Sequence, residues 1–160
     1  MAEPRPGPDW RNPVHVLAFG LGAGAAPVAP GTAGTLVALP LYAVAAGLPL
    51  PAYLAVLGVV LAAGVAICGR TATDLGVHDH PGIVWDEIAG LLVALCGVPV
   101  GWAWTVAGFV LFRLFDILKP WPIHWVDRRV GGGVGIMADD LLAGLYAAAL
   151  LHAAAWWLGA

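Results

Sequence analysis

IAGLLVALCGVPVGWAWTVAGFVLF, residues 88–112, is the stretch on which the topology turns. As one straight helix it would be about 37 Å long at 1.5 Å per residue, a full membrane thickness. Asp86 and Glu87 stand immediately before it, and Asp116 follows it within the same apolar run. A single span would put these acids on opposite faces of a bilayer. Gly97-Val98-Pro99 interrupts the run, however, and a proline inside a helix removes a backbone donor and clashes with the turn before it. A chain that reverses at residues 98–101 is a helical hairpin, and both acidic ends return to one side. The hairpin is the expected topology, with helices that are short or partly buried in protein.

Composition places that hairpin in a membrane. Of the 160 residues, 61% are hydrophobic and 11% are charged, and the mean hydropathy is +0.87. Soluble domains carry about 25% charged residues. Besides the hairpin halves, 88–98 and 101–112, apolar segments run over 33–48, 51–69 and 141–158. A spanning helix needs about 20 apolar residues, so only 51–69 and 141–158 clearly qualify. The expected fold is all-α: a multihelical integral membrane protein with short membrane helices. Residues 1–18 are expected to be a flexible tail and 19–160 a single membrane-embedded domain. MAEPRPGPDWRNP is polar and Pro-rich, unlike a secretory signal, so the first span is expected to direct its own insertion.

Arg5, Arg11, Arg70, Arg113, Lys119, Arg128 and Arg129 fall in the tail, in the loop 70–87 or in 113–140. None falls near residues 48–51, in the turn at 98–101 or at the C-terminus. The positive-inside rule puts the tail and both long loops in the cytoplasm and the C-terminal Trp156-Trp157 near the outer interface. The net charge of −3 and the lack of a basic stripe argue against nucleic acid as a partner. Cys68 and Cys96 have no metal or redox spacing and read as small buried hydrophobes.

The acids carry the chemistry. Asp86-Glu87 precedes one apolar helix and Asp139-Asp140 another, with Asp116 inside FVLFRLFDILKPWP. One Asp is sufficient to cap a helix, at roughly 0.5–2 kcal/mol, and a second adjacent acid adds repulsion. Two such pairs plus Asp116, among only ten acids, point to a shared metal site on Asp86, Glu87, Asp116, Asp139 and Asp140. An all-oxygen donor set suits Mg²⁺ or Mn²⁺. Arg113 shares a helix face with Asp116, and Lys119 follows three residues later, so both are expected to bind substrate phosphate. Arg128 and Arg129 fit either that role or an interfacial collar with Trp121 and Trp125. GLGAGAAPVAPGTAGT, residues 20–35, is not a Walker loop, but it sets Thr32 and Thr35 just before a helix. Their hydroxyls and the free N–H groups could hold a phosphate oxygen, or the stretch could be a close-packed re-entrant turn. His78, Asp79 and His80 fit no standard zinc motif and read as solvated loop residues; His15 and His152 read as structural.

Together PVAPGTAGTL, DLGVHDHPGIVWDEIAG and FRLFDILKPWPIHWVDRRVGGGVGIMADDLLAG resemble the phosphatidylglycerophosphatase A family of bacterial membrane lipid phosphatases, over about residues 19–151. The resemblance implies Mg²⁺-dependent hydrolysis of phosphatidylglycerol phosphate to phosphatidylglycerol and inorganic phosphate, at the cytoplasmic face of the inner membrane. Other phosphatase chemistries lack their residues here: no Cys has an Arg six residues on, and neither an Asp-x-Asp nucleophile motif nor a Pro-Ser-Gly-His stretch is present. An activated water and direct attack by an Asp both remain open to a carboxylate-held metal. A CDP-alcohol phosphatidyl transferase would need an Asp-Gly-x-x-Ala-Arg pattern that DRRVGGGVGIMADD does not fit. A small cation transporter would carry its acids in mid-span, without basic partners.

Overall fold

The computed structural model describes residues 7–160; residues 1–6, and with them Arg5, lie outside the described residues. Those residues form seven α-helices and one 3-10 turn, with no strand among them. The helices are α1 (Pro13–Ala18), α2 (Pro30–Ala45), α3 (Leu50–Asp74), α4 (Trp85–Ala94), α5 (Trp102–Leu118), α6 (Ile123–Arg129) and α7 (Gly132–Leu158); the 3-10 turn is Gly20–Ala25. Of these, α3 and α7 are long and apolar enough to cross a membrane.

The hairpin forms where the sequence places it. Helix α4 stops at Ala94, and Gly97 at φ +69° takes the chain out of the helix in a conformation open to glycine at little cost. Helix α5 then starts at Trp102 after an extended Gly101. It runs on through Arg113 and Asp116 until Lys119, at φ 43°, and Pro120 end it. The pair packs through a missing side chain: a Cβ on Gly90 of α4 would lie 2.5 Å from Phe112 Cε2, and Phe112 is fully buried.

Helix α7 is the spine, packed against α3, α4, α5 and α6. Its start corrects the expectation that Asp139 and Asp140 stand at a helix mouth: α7 begins at Gly132, two turns earlier. The glycines of GGGVGIM read as loop because glycine is a poor helix former, by about 1 kcal/mol against Ala. Here they give close approach instead. A Cβ on Gly133 would collide with the Val65 carbonyl of α3, and one on Gly135 with the Val130 carbonyl. Tertiary packing overrides propensity, as small residues do between closely packed helices.

The stretch expected to be a flexible tail includes α1, whose Asn12 side chain caps it by accepting from the Val14 N–H at 3.0 Å. His15 is buried there. Its Nδ1 accepts from the Asp9 N–H at 3.0 Å, and its Nε2 lies 3.3 Å from Asp74 Oδ2 at the end of α3. His15 is thus structural, as expected.

All the elements sort into two ends. The starts of α2, α4 and α7 meet the ends of α3 and α5 at one end, through the contacts of Gly31 with Glu87 and of Glu87 with Arg113. At the other, the α2–α3 and α4–α5 turns converge, and Tyr42, Leu48, Tyr53, Gly97 and Val98 line one cleft. Gly90→Ala tests the α4–α5 contact. The added methyl overpacks Phe112 and should cost about 1–3 kcal/mol, read as a lowered thermal denaturation midpoint.

Candidate active site

Helices α4 and α7 carry the same local pattern, an acid followed four residues later by glycine: Asp86 with Gly90, Asp140 with Gly144. In each helix the two residues share a face, one turn apart. A Cβ on Gly144 would stand 2.5 Å from the Gly90 carbonyl, and one on Gly90 would stand 3.0 Å from the Asp140 carbonyl. The backbones therefore touch, and one turn beyond the contact the acids face one another. Carboxylate oxygens of Asp86, Glu87 and Asp140 all lie within 4.8 Å of one another.

Helix capping does not explain these acids. Helix α4 has Val84 at its N-cap, with no side-chain cap bond, and Asp140 sits well inside α7. Asp86 and Asp140 are 9% and 3% exposed. Asp86 Oδ1, Glu87 Oε2 and Asp140 Oδ2 are buried without a hydrogen-bond partner. An ionised carboxylate only accepts, so neighbouring carboxylates cannot satisfy one another without a proton or a cation between them. Orphaned, converging, oxygen-only donors are what a hard divalent cation requires.

Arg113 joins the cluster from α5. Its Nη1 stands 2.5 Å from Asp116 Oδ2 and 3.8 Å from Glu87 Oε1. The first is a close ion pair without hydrogen-bond alignment: Nη1 and Nε are both buried without a hydrogen-bond partner. Asp116 also approaches Asp140, so it flanks the trio through two of its members. Gly31, in the first turn of α2, completes the wall; a Cβ there would collide with Glu87 Oε1 and lie 3.1 Å from Arg113 Nη1.

Asp139 is elsewhere. Successive helix residues do not share a face, so Asp139 and Asp140 cannot both point at Asp86. Asp139 Oδ2 accepts from Lys119 Nζ at 2.7 Å, and Asp127 Oδ1 accepts from the same ammonium at 2.7 Å. Burial alone would lower the Lys119 pKa, but the two carboxylates outweigh it and hold the ammonium above its ordinary range. Lys119 therefore sits with Asp127 and Asp139, not with Asp116. The single site expected from five carboxylates divides into a trio flanked by Asp116 and Arg113, and a separate Lys119-centred pair. Asp127 had no role in the sequence; only the reversal at Lys119 and Pro120 brings it to the ammonium, and no local spacing announces that.

The remaining candidates fall around this core. Thr32 is half-buried in the first turn of α2. Thr35 is fully buried, one turn inside the helix rather than before it, and its hydroxyl donates to the Gly31 carbonyl at 2.8 Å. Arg128 is exposed on α6, and Arg129 lies 5.2 Å over the Trp125 ring, in keeping with the collar. His80 Nδ1 accepts from the Gly82 N–H at 3.0 Å and braces its own loop. His78 lines a small pocket with Asp79, Asp127 and Asp139, so it is not simply solvated.

A family model described as Phosphatidylglycerophosphatase A matches residues 16–155. A Phosphatidylglycerophosphatase A of Escherichia coli (strain K12) is 48% identical over 142 residues, covering 88% of this chain and 83% of its own. Another, of Haemophilus influenzae, is 42% identical over 149 residues, covering 92% and 91%. No solved structure matches the chain. Replacing Lys119 with Met leaves Asp127 and Asp139 without their shared donor. It should lower stability by about 1.5–3 kcal/mol, the worth of a hydrogen bond to a charged group, and denaturant unfolding reads the loss.

Proposed function

Because this chain belongs to the phosphatidylglycerophosphatase A family, we propose that it removes the terminal phosphate of phosphatidylglycerol phosphate, using water and yielding phosphatidylglycerol and inorganic phosphate. The observation that carries the reading is the set of three orphaned carboxylate oxygens, of Asp86, Glu87 and Asp140, converging beside an Arg113 whose Nε and Nη1 make no hydrogen bond. Such a site is built for a cation and an anion together. Asp86, Glu87 and Asp140 would hold Mg²⁺ or Mn²⁺, with Asp116 alongside. A divalent ion there neutralises phosphate charge and acidifies bound water.

The chain's own residues supply the rest. Arg113 offers the substrate phosphate N–H groups that make no other hydrogen bond, in a fork that a lysine cannot reproduce. Asp116 fixes that guanidinium from the same helix face. The first turn of α2 lies against Glu87 and Arg113, and its free backbone N–H groups favour an anion. Thr32 stands in that turn; Thr35, bonded inward, supports it. Asp139 and Asp127 hold Lys119 at the edge of the site, where its third N–H remains for phosphate.

The protein is proposed to cross the inner membrane several times, as one domain over residues 19–160. Its acidic end would face the cytoplasm, with α4 and α5 dipping in as a hairpin. Arg70, Arg113, Lys119, Arg128 and Arg129 all belong to the acidic end, which supports that orientation.

Two outcomes are expected. Phosphate release from phosphatidylglycerol phosphate should stop in excess chelator and return with Mg²⁺, and Asp86→Asn, Glu87→Gln and Asp140→Asn should each lower kcat by about 10²-fold or more. Chelator-insensitive turnover, or near-normal rates in two of these variants, would refute the site. In a chain lacking Cys68 and Cys96, single cysteines at Thr73 and Arg129 should react with an impermeant reagent only after cells are opened. One at Val100, at the hairpin tip and 72% exposed, should not follow that pattern. Labelling of Thr73 and Arg129 from opposite sides rejects the orientation.

A further inference from the structure

A groove of about 430 Å³ runs between the 3-10 turn, α2 and α4. Leu21, Val37, Leu41 and Val44 make its walls, and Trp85 and Ile88 its floor. No charged or hydrogen-bonding side chain except the Trp85 indole lines it, and that indole is engaged elsewhere: Nε1 donates to the Val60 carbonyl of α3 at 3.0 Å. The floor is thus fixed in place. The rim is open, with Leu21 72% and Val44 77% exposed. The volume lies in the range of roughly 300–1,000 Å³ typical of small-molecule sites.

What distinguishes this groove from a general oily surface is that its lining residues adjoin the acidic site along α2 and α4. Trp85 and Ile88 bracket Asp86 and Glu87 in the first turn of α4. The wall residues of α2 follow from Gly31, whose backbone presses on Glu87 and Arg113. Val37 lies six residues beyond Gly31 and Val44 thirteen, about 9 and 20 Å along the helix. One leaflet of a bilayer core is about 15 Å deep. A molecule with phosphate at Arg113 of α5 finds the groove along α2 and α4, the two helices whose first turns meet that guanidinium, at a distance that suits its hydrocarbon tail.

We propose that this groove holds one acyl chain of the lipid substrate, with Leu41 and Val44 setting the preference for long chains. The proposal rests on the phosphatase reading above. A chain anchored there lowers KM and presents the headgroup to the carboxylates in one orientation.

The test uses the full chain in mixed micelles with dipalmitoyl and dihexanoyl phosphatidylglycerol phosphate. Leu41→Trp and Val44→Trp narrow the groove; Val59→Trp adds the same bulk on α3 at a residue 69% exposed and outside the groove. The long-to-short ratio of kcat/KM should fall about tenfold or more in both groove variants, through KM for the long chain. In Val59→Trp it should stay within about twofold. An unchanged ratio, or an equal fall in Val59→Trp, overturns the proposal.

Photolabelling of the wild-type chain needs no variant and no turnover. A dipalmitoyl phosphatidylglycerol phosphate with a diazirine in one chain should mark peptides of α2 or the 3-10 turn. Unlabelled phosphatidylglycerol phosphate should compete, and phosphatidylcholine should not. Equal competition by phosphatidylcholine would make the occupant bulk lipid and sink the proposal. Absence of phosphate release from the wild type would instead sink the phosphatase reading, since the label reports occupancy alone.

Discussion

Asp86, Glu87 and Asp140 bring three carboxylates within 4.8 Å inside a shell of helices, and the surrounding structure follows from tolerating them. Two like charges 4 Å apart repel by about 4 kcal/mol at an effective dielectric constant of 20. The start of α4 lies beneath Asp86 and Glu87, but a helix terminus returns only about 0.3–1 kcal/mol to each nearby anion. The dipole loses that comparison by a wide margin. Arg113 is the near cation, and it is divided between Glu87 and Asp116. The cluster is short of positive charge, a deficit that a divalent ion would remedy.

Glycine makes the cluster geometrically possible. Gly90 and Gly144 let α4 and α7 approach to backbone contact, and the acids one turn away follow from that contact. Gly31 does the same between α2 and Glu87, and Gly133 between α7 and α3. Any side chain at these positions would push helices apart and move carboxylates with them. The packing of an oily bundle and the geometry of a polar site are therefore one problem here, solved by the same residues.

Much of this was legible in the sequence, for identifiable reasons. The hairpin could be read because Gly97 and Pro99 interrupt an apolar run and because acids flank both ends of it. Arg113 with Asp116 could be read because helix spacing of three is local geometry. The site's acids stood out because so few charges occur in the chain. The start of α7 was hidden, since GGGVGIM has loop composition and only the Val65 and Val130 carbonyls show why glycine is needed. Once α7 starts at Gly132, adjacent Asp139 and Asp140 must diverge, so the earlier helix start also separates Asp139 from the trio. The repeated acid-to-glycine spacing, Asp86 to Gly90 and Asp140 to Gly144, was the unread signal for the α4–α7 contact. The partnership of Lys119 with Asp127 lay beyond local pattern, because it depends on a left-handed residue and a proline reversing the chain.

The shortness of α4 then acquires a chemical reason. Ten residues give about 15 Å, half the thickness of a bilayer core. A lipid phosphatase must offer one molecule two media at once, water and charge for the phosphorus and hydrocarbon for the chains. A helix that crossed the bilayer would carry Asp86 and Glu87 at one end and leave Asp116 of α5 at the other. A helix of half that length, turned back at Gly97, keeps its polar first turn at the acidic end and buries its apolar remainder within the bundle. It also returns Arg113 to meet Glu87. The turn that breaks the apolar run is thus the element that assembles the site.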